Sequence, residues 1–280
     1  MATLRDWLRE EPFALGMSSG FFGFFAHCGV LGALEQEGLL PVRVAGSSAG
    51  ALVTGAWASG VSTPDLANEL LELRRADFWD PGFGAGLLRG RLFRERLEAL
   101  LPVRDLSECR VPAAVSVYDL VRRRVRVLDE GPIAPALHAS CAVPFMFHPV
   151  LHAGGVLVDG GVSDRPGLAG LADAPRVLFH HLESRSPWRR VDSEALRVPR
   201  RGGLVTLVVE DLPRSGPFRL DAGRRALEVA HEATHAALDQ EIRADEVRVR
   251  RRARRSTGAE RAAPWPSSTA SEGRPPKRSR

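Results

Sequence analysis

Lysine is almost absent from this chain: of 39 basic residues, only Lys277 is a lysine. Such a bias toward arginine follows from coding composition more readily than from a binding function, so it points to no partner. Cysteine is equally scarce. Cys28, Cys109 and Cys141 are odd in number, far apart and form no CxxC pair. That excludes a disulfide framework or a cysteine zinc site and fits reduced, buried thiols. No stretch approaches the roughly 20 apolar residues that a membrane span requires. Met1–Pro12 mixes charges with Leu and Trp and lacks the apolar centre of a secretory signal. The expected location is cytoplasmic, with any membrane contact peripheral. His148 and His152 flank Pro149 without a third ligand at metal spacing, so no metal site is expected; no organic cofactor is expected either.

The 280 residues are 44% hydrophobic, enough for one sizeable α/β core. The charge is unevenly placed. Residues 243–280 hold twelve of the 39 basic and four of the 34 acidic residues, so this segment carries +8 and the remainder −3. It shows neither helical nor strand period and gives way to Ser, Pro, Thr and Gly around Trp265. A disordered basic tail is expected over 243–280, after a single α/β domain over 1–242. Its arginines follow no stripe, and no nucleic-acid motif is present, so nucleic acid is not the expected partner.

Short apolar runs alternate with helical patterns along residues 1–242. Phe13–Met17 and Val42–Ala45 each enter a Gly/Ser turn. Ala26–Glu37 carries helical spacing with Gly38 as its stop, and Thr63-Pro64-Asp65 reads as cap, first position and first-turn acid of another helix. Strands interleaved with helices imply a mostly parallel sheet covered on both faces, a three-layer αβα sandwich.

Two segments fit G-x-S-x-G: Gly16–Gly20 and Gly46–Gly50. That pattern lifts a serine clear of a strand-to-helix turn, with glycines permitting close packing. Only the second runs directly into a helix whose first turn is small (Ala49, Gly50, Ala51). Ser48 is therefore the candidate nucleophile, and Ser18–Gly23 the candidate anion-binding loop. Val156–Val158 ends in Asp159-Gly160-Gly161, a carboxylate at a strand's end where another backbone can approach.

In this order the three motifs resemble the patatin-like phospholipases. His27-Cys28-Gly29-Val30-Leu31 is similar to the opening of that family's first helix. Ala139-Ser140-Cys141-Ala142-Val143-Pro144 is similar to the segment ahead of its Asp strand. The resemblance implies a Ser48–Asp159 dyad without histidine, in which serine attacks a lipid ester and the carboxylate takes its proton. Oxyanion donors would be the amides of Ser19, Gly20, Phe21 and Ala49. The implied substrate is a phospholipid or lysophospholipid acyl chain at a membrane surface. The loop lacks the cation found in many bacterial members and carries two Phe instead.

Other readings fit the same residues. A hydrolase in the order Ser, acid, His would recruit His180, His181, His231 or His235. A general carboxylesterase or thioesterase would share the dyad, and a catalytically idle relative would bind lipid alone. Phe21, Phe22, Phe24 and Phe25 suit either an acyl channel or the core. Phe78, Trp79 and Phe83 suit a lid, a membrane-facing lip or ordinary loop packing.

Overall fold

In the computed structural model, which describes residues 2–183 and 197–250, the β-branched and small-residue runs assemble into one large sheet. Its strands are β1 (Ala14–Met17), β2 (Arg43–Ser47), β4 (Ala113–Asp119), β5 (Arg124–Leu128), β7 (Val150–His152), β8 (Gly155–Asp159), β9 (Val177–His181), β10 (Leu204–Glu210) and β11 (Glu246–Arg250). A two-stranded ribbon, β3 (Gly86–Leu88) with β6 (Phe145–Phe147), stands apart from it. The helices are α1 (Leu4–Glu10), α2 (Phe24–Gln36), α3 (Ala49–Ala58), α4 (Thr63–Glu72), α5 (Arg91–Leu100), α6 (Ile133–Ser140) and α7 (Leu220–Leu238). The run β11-β10-β9-β1-β2-β4 is parallel throughout, while β5, β7 and β8 join antiparallel. The result is a three-layer α/β sandwich around a mixed, largely parallel sheet.

The two faces differ as alternation along each strand dictates. Leu15, Met17, Val44, Val115, Leu178 and Leu207 enter the main core with α2, α3 and α7. Ala14, Ala45 and Ala114 face a smaller cluster with Leu168 and Leu171. Small side chains suit that second face because its covering layer lies close. A methyl group on Gly16 would come within 2.5 Å of Leu168 Cδ2.

The pairing of β4 positions the candidate site. Val115 and Ser116 pair with β2 and β5 at once, and Val117 and Asp119 pair with β8 and β5 at once. A strand has only two edges, so β2 and β8 lie along the same edge of β4, meeting end to end. Ser47 pairs with Ser116 and Asp159 with Val117. The carboxyl ends of two strands far apart in sequence are thereby set one register step apart.

The expected domain boundary at residue 242 is too early. β11 begins at Glu246 and runs parallel to β10, with Val247 and Val249 buried against α7 and the sheet. Glu-Val-Arg-Val-Arg alternates with period two, and the arginine content of the region hid that alternation. Arg248 faces outward and pairs with Glu183 and Glu210, a charged edge of the kind that discourages further strand addition. Residues 251–280, the remainder of the expected tail, lie outside the described residues.

Candidate active site

Ser48 is the hinge between β2 and α3, with φ 53° and ψ −119°. For a residue with a Cβ, that sparsely populated backbone costs about 1–3 kcal/mol and persists only when its surroundings enforce it. The enforcing contacts are visible. A Cβ on Gly46 would lie 2.4 Å from the carbonyl carbon of Gly50, and one on Gly50 would lie 2.1 Å from the Met17 carbonyl oxygen. The glycines let β1, β2 and α3 close on one another and leave Ser48 at the apex.

The Ser48 hydroxyl donates to Asp159 Oδ2 at 2.6 Å. The other carboxylate oxygen accepts the Gly161 amide at 2.7 Å, and the Asp159 amide donates to the Ala142 carbonyl at 2.9 Å. Both side chains are buried. Gly160 and Gly161 are needed because a Cβ on the first would strike the Ser116 carbonyl, and on the second the Ser19 hydroxyl, within 2.3 Å.

Sequence reasoning gave Ser140 no role, yet it braces the nucleophile. Its hydroxyl accepts the Ser48 amide at 2.9 Å and donates to the Ser116 carbonyl at 2.7 Å. Ser140 and Ala142, which hold Ser48 and Asp159 respectively, both belong to the Ala139–Pro144 segment. Its signal was therefore in the sequence, as a motif without an assigned function.

The loop at 18–23 packs beside this pair. Ser18 is fully buried and structural: its amide donates to the His180 carbonyl and its hydroxyl accepts the Leu182 amide. Ser19, expected as an oxyanion donor, instead spends its amide on the Arg165 carbonyl at 2.7 Å. Gly20 and Ala49 fit the expectation better. Gly20 donates to no group among the described residues, and Ala49 opens α3, where an amide has no carbonyl one turn earlier to bond. Phe21 borders the same cavity as both.

The histidines are engaged elsewhere. His27 Nε2 lies 2.7 Å from the Ser18 carbonyl, which can only accept, so that nitrogen carries the proton. His27 Nδ1 then accepts from His180 Nδ1 at 2.8 Å, and this buried pair anchors the root of the loop. His231 bonds Gln36 and His235 bonds Glu37 across α2 and α7. Ser48 reaches its carboxylate directly, with no imidazole between them.

Burial pushes the His27 pKa down to about 3, and those of His138 and His231 to about 4. His180 is also held well below its usual range by burial. Folded-state values below the unfolded value near 6.5 mean that the unfolded chain binds more protons in this window. Stability is therefore complete above about pH 6.5 and falls on acidification, each histidine adding at most about 1.4 kcal/mol per pH unit. The melting temperature should drop by roughly 10 °C between about pH 7 and pH 5. A flat profile by calorimetry would show that these imidazoles are hydrated in the folded protein.

An apolar cavity opens beside Ser48. Phe22 and Phe24 wall it on the loop side, Leu66 and Leu70 come from α4, Leu97 from α5 and Met146 from β6. Glu69 and Arg96, its charged lining residues, form an ion pair at 2.8 Å. Of the loop phenylalanines, Phe25 fills the core instead. Phe78 borders the cavity, Trp79 packs on Phe218, and Phe83 is fully exposed. Among the described residues no group of three or more His, Cys, Asp or Glu could hold a metal ion, and no helix is long and apolar enough to cross a membrane.

Comparison with known proteins places the family and the fold. Uncharacterised NTE family proteins of Mycobacterium bovis and Mycobacterium tuberculosis are 30% identical over 162 residues, covering 57% of this chain and 45% of theirs. The chain thus spans less than half the length of these curated relatives. VipD from Legionella pneumophila superposes with a TM-score of 0.56 at 15% identity, over 82% of this chain and 67% of its own, a likeness of fold. The profile of the patatin-like phospholipases matches residues 15–171, more than half of the chain and every residue of the Ser48–Asp159 site. This chain belongs to the patatin-like phospholipase family.

Proposed function

We propose that the chain is a serine lipid acyl hydrolase that cleaves carboxylic esters of phospholipids or lysophospholipids. The observation that carries this reading is the 2.6 Å bond from Ser48 to Asp159 at the wall of an apolar cavity. Ser48 Oγ attacks the ester carbonyl carbon while its proton passes to Asp159 Oδ2. The carbonyl oxygen becomes an oxyanion facing the Gly20 and Ala49 amides, near the positive end of α3. Collapse of this intermediate breaks the ester bond, and the departing alkoxide takes the proton from Asp159. Water then attacks the acyl-serine, Asp159 accepts its proton, and release of the carboxylic acid returns that proton to Ser48. The Gly161 amide on its second oxygen keeps the carboxylate ionised and fixes Oδ2 toward the Ser48 hydroxyl. The phenylalanine- and leucine-lined cavity takes the acyl chain, since burial of methylenes contributes about 0.8 kcal/mol each.

Fluorophosphonate labelling with mass mapping of the modified peptide tests this directly. The adduct is expected on Ser48, with longer-chain nitrophenyl esters and lysophospholipid preferred over acetate esters. No adduct on folded protein would support an idle lipid-binding relative. Equal rates across chain lengths would support a general esterase.

A further inference from the structure

Among the described residues, the most exposed large apolar side chains are Phe83 and Phe145, at 103% and 88%. Phe145 lies on the β3–β6 ribbon and Phe83 on the loop that leads into it, which folds back on β3 through the Pro81–Leu88 bridge. Phe145 opens β6 and stands opposite Gly86 of β3, with Leu88 opposite Phe147. That register makes Leu87, 52% exposed, the cross-strand neighbour of Met146. The 81–85 loop folds back on this ribbon: the Gly82 amide donates to the Leu87 carbonyl, and a Cβ on Gly84 would strike the His148 ring within 2.3 Å. Phe83 is thus held at the loop tip beside β6.

Phe145 is held outward at a cost. Its φ is 67°, a left-handed conformation that is unfavourable for a bulky residue. Its flanking residues Val143, Met146 and Phe147 all line the cavity beside Ser48. The backbone therefore turns one ring of an otherwise inward-facing segment into solvent, and no ring contact among the described residues compensates it.

We infer that Phe83, Leu87 and Phe145 form a lip that inserts into a phospholipid surface and passes an acyl chain into the cavity. The inference rests on the hydrolase reading for its direction of transfer. The occupant follows from continuity: Leu87 leads across the ribbon to Met146, and Met146 is cavity wall, so one apolar strip runs from solvent to the site. A protein seated there would cap that entry, whereas a lipid surface feeds it. Charge agrees. Arg89, exposed at the root of the loop and folded over Gly82, has no acidic partner among the described residues, which places a guanidinium at headgroup depth. The lip begins three residues after Ala142, whose carbonyl holds the Asp159 amide, so docking and chemistry share one short segment.

The test is flotation of the full chain carrying Ser48→Ala with vesicles of phosphatidylcholine and phosphatidylglycerol, with and without Phe83→Ser and Phe145→Asn. Asparagine tolerates the left-handed backbone, and an unchanged melting temperature checks folding. Adding the lip changes should lower the partition coefficient by roughly 100-fold. In the Ser48-intact protein they should leave hydrolysis of a soluble short-chain ester unchanged. Equal vesicle binding with and without the lip changes, or no binding by Ser48→Ala itself, overturns the lip. So does a dimer that these changes convert to monomer, which would assign the patch to a second copy. Vesicle binding that depends on the lip in a protein with no hydrolytic activity and no fluorophosphonate adduct would instead sink the hydrolase reading alone.

Discussion

Asp159→Asn is expected to lower kcat for a soluble ester by about 10³-fold or more, and Ser48→Ala by at least as much. Asparagine has the same shape and can still meet the Gly161 amide, which donates to Oδ1 at 2.7 Å in the native protein. What it cannot do is accept the Ser48 proton, so the loss should fall on the chemical step. KM should stay within about threefold, because the cavity wall is untouched. The two substitutions act on one unit, so the double variant should be scarcely slower than Ser48→Ala alone. The measurement is kcat and KM for each variant beside its melting temperature, since Asp159 is buried and its neutral replacement is the gentler test of fold. Asp159→Asn retaining near-native kcat would mean that another group takes the proton. The buried imidazoles of His27 and His180 are poor alternatives, as each is already bonded within the loop anchor.

The nucleophile and its carboxylate partner could be named from sequence because each sits in a local pattern, a glycine-flanked turn at the end of an apolar run. Their proximity was implied by the family resemblance alone and by no local pattern. It depends on β2 and β8 sharing one edge of β4, an end-to-end meeting of segments more than 100 residues apart that leaves no local trace. The same limit explains Ser19. Its amide looked available in a glycine-rich loop, but the Arg165 carbonyl reaches it from the far side of the sheet sequence. Ser140 is the opposite case: it lies in a motif legible in the sequence, but its role depends on the fold, which sets its hydroxyl between the Ser48 amide and the Ser116 carbonyl. β11 was missed for a compositional reason: charge dominates residues 246–250, while the two valines that decide burial are spaced for a strand. The cavity drew on helices whose apolar faces were readable, though nothing local said that Leu66, Leu97 and Met146 would converge.

Gly50→Ala should destabilise the protein by about 3 kcal/mol or more, lowering its melting temperature by roughly 10 °C. Helix propensity alone gives the opposite sign, since alanine in place of glycine within a helix contributes about 1 kcal/mol. The clash decides. A Cβ at Gly50 would sit 2.1 Å from the Met17 carbonyl oxygen and 2.5 Å from its carbon, and backbone atoms cannot rotate aside as a side chain can. Relief requires α3 to lift from β1, yet β1 is fixed by parallel ladders to both β2 and β9. Ser48 is the residue preceding this helix, so the same displacement draws its hydroxyl away from Asp159, and activity should fall even in the fraction that stays folded. Gly202→Ala is the matched control, because nothing lies within 4 Å of its added methyl group, and it should leave both melting temperature and rate unchanged. A Gly50→Ala protein with native stability and activity would show that α3 and β1 separate at little cost. The strained backbone of Ser48 would then have to be imposed by its remaining restraints, chiefly the Ser140 hydroxyl on its amide and the closure of Gly46 on α3.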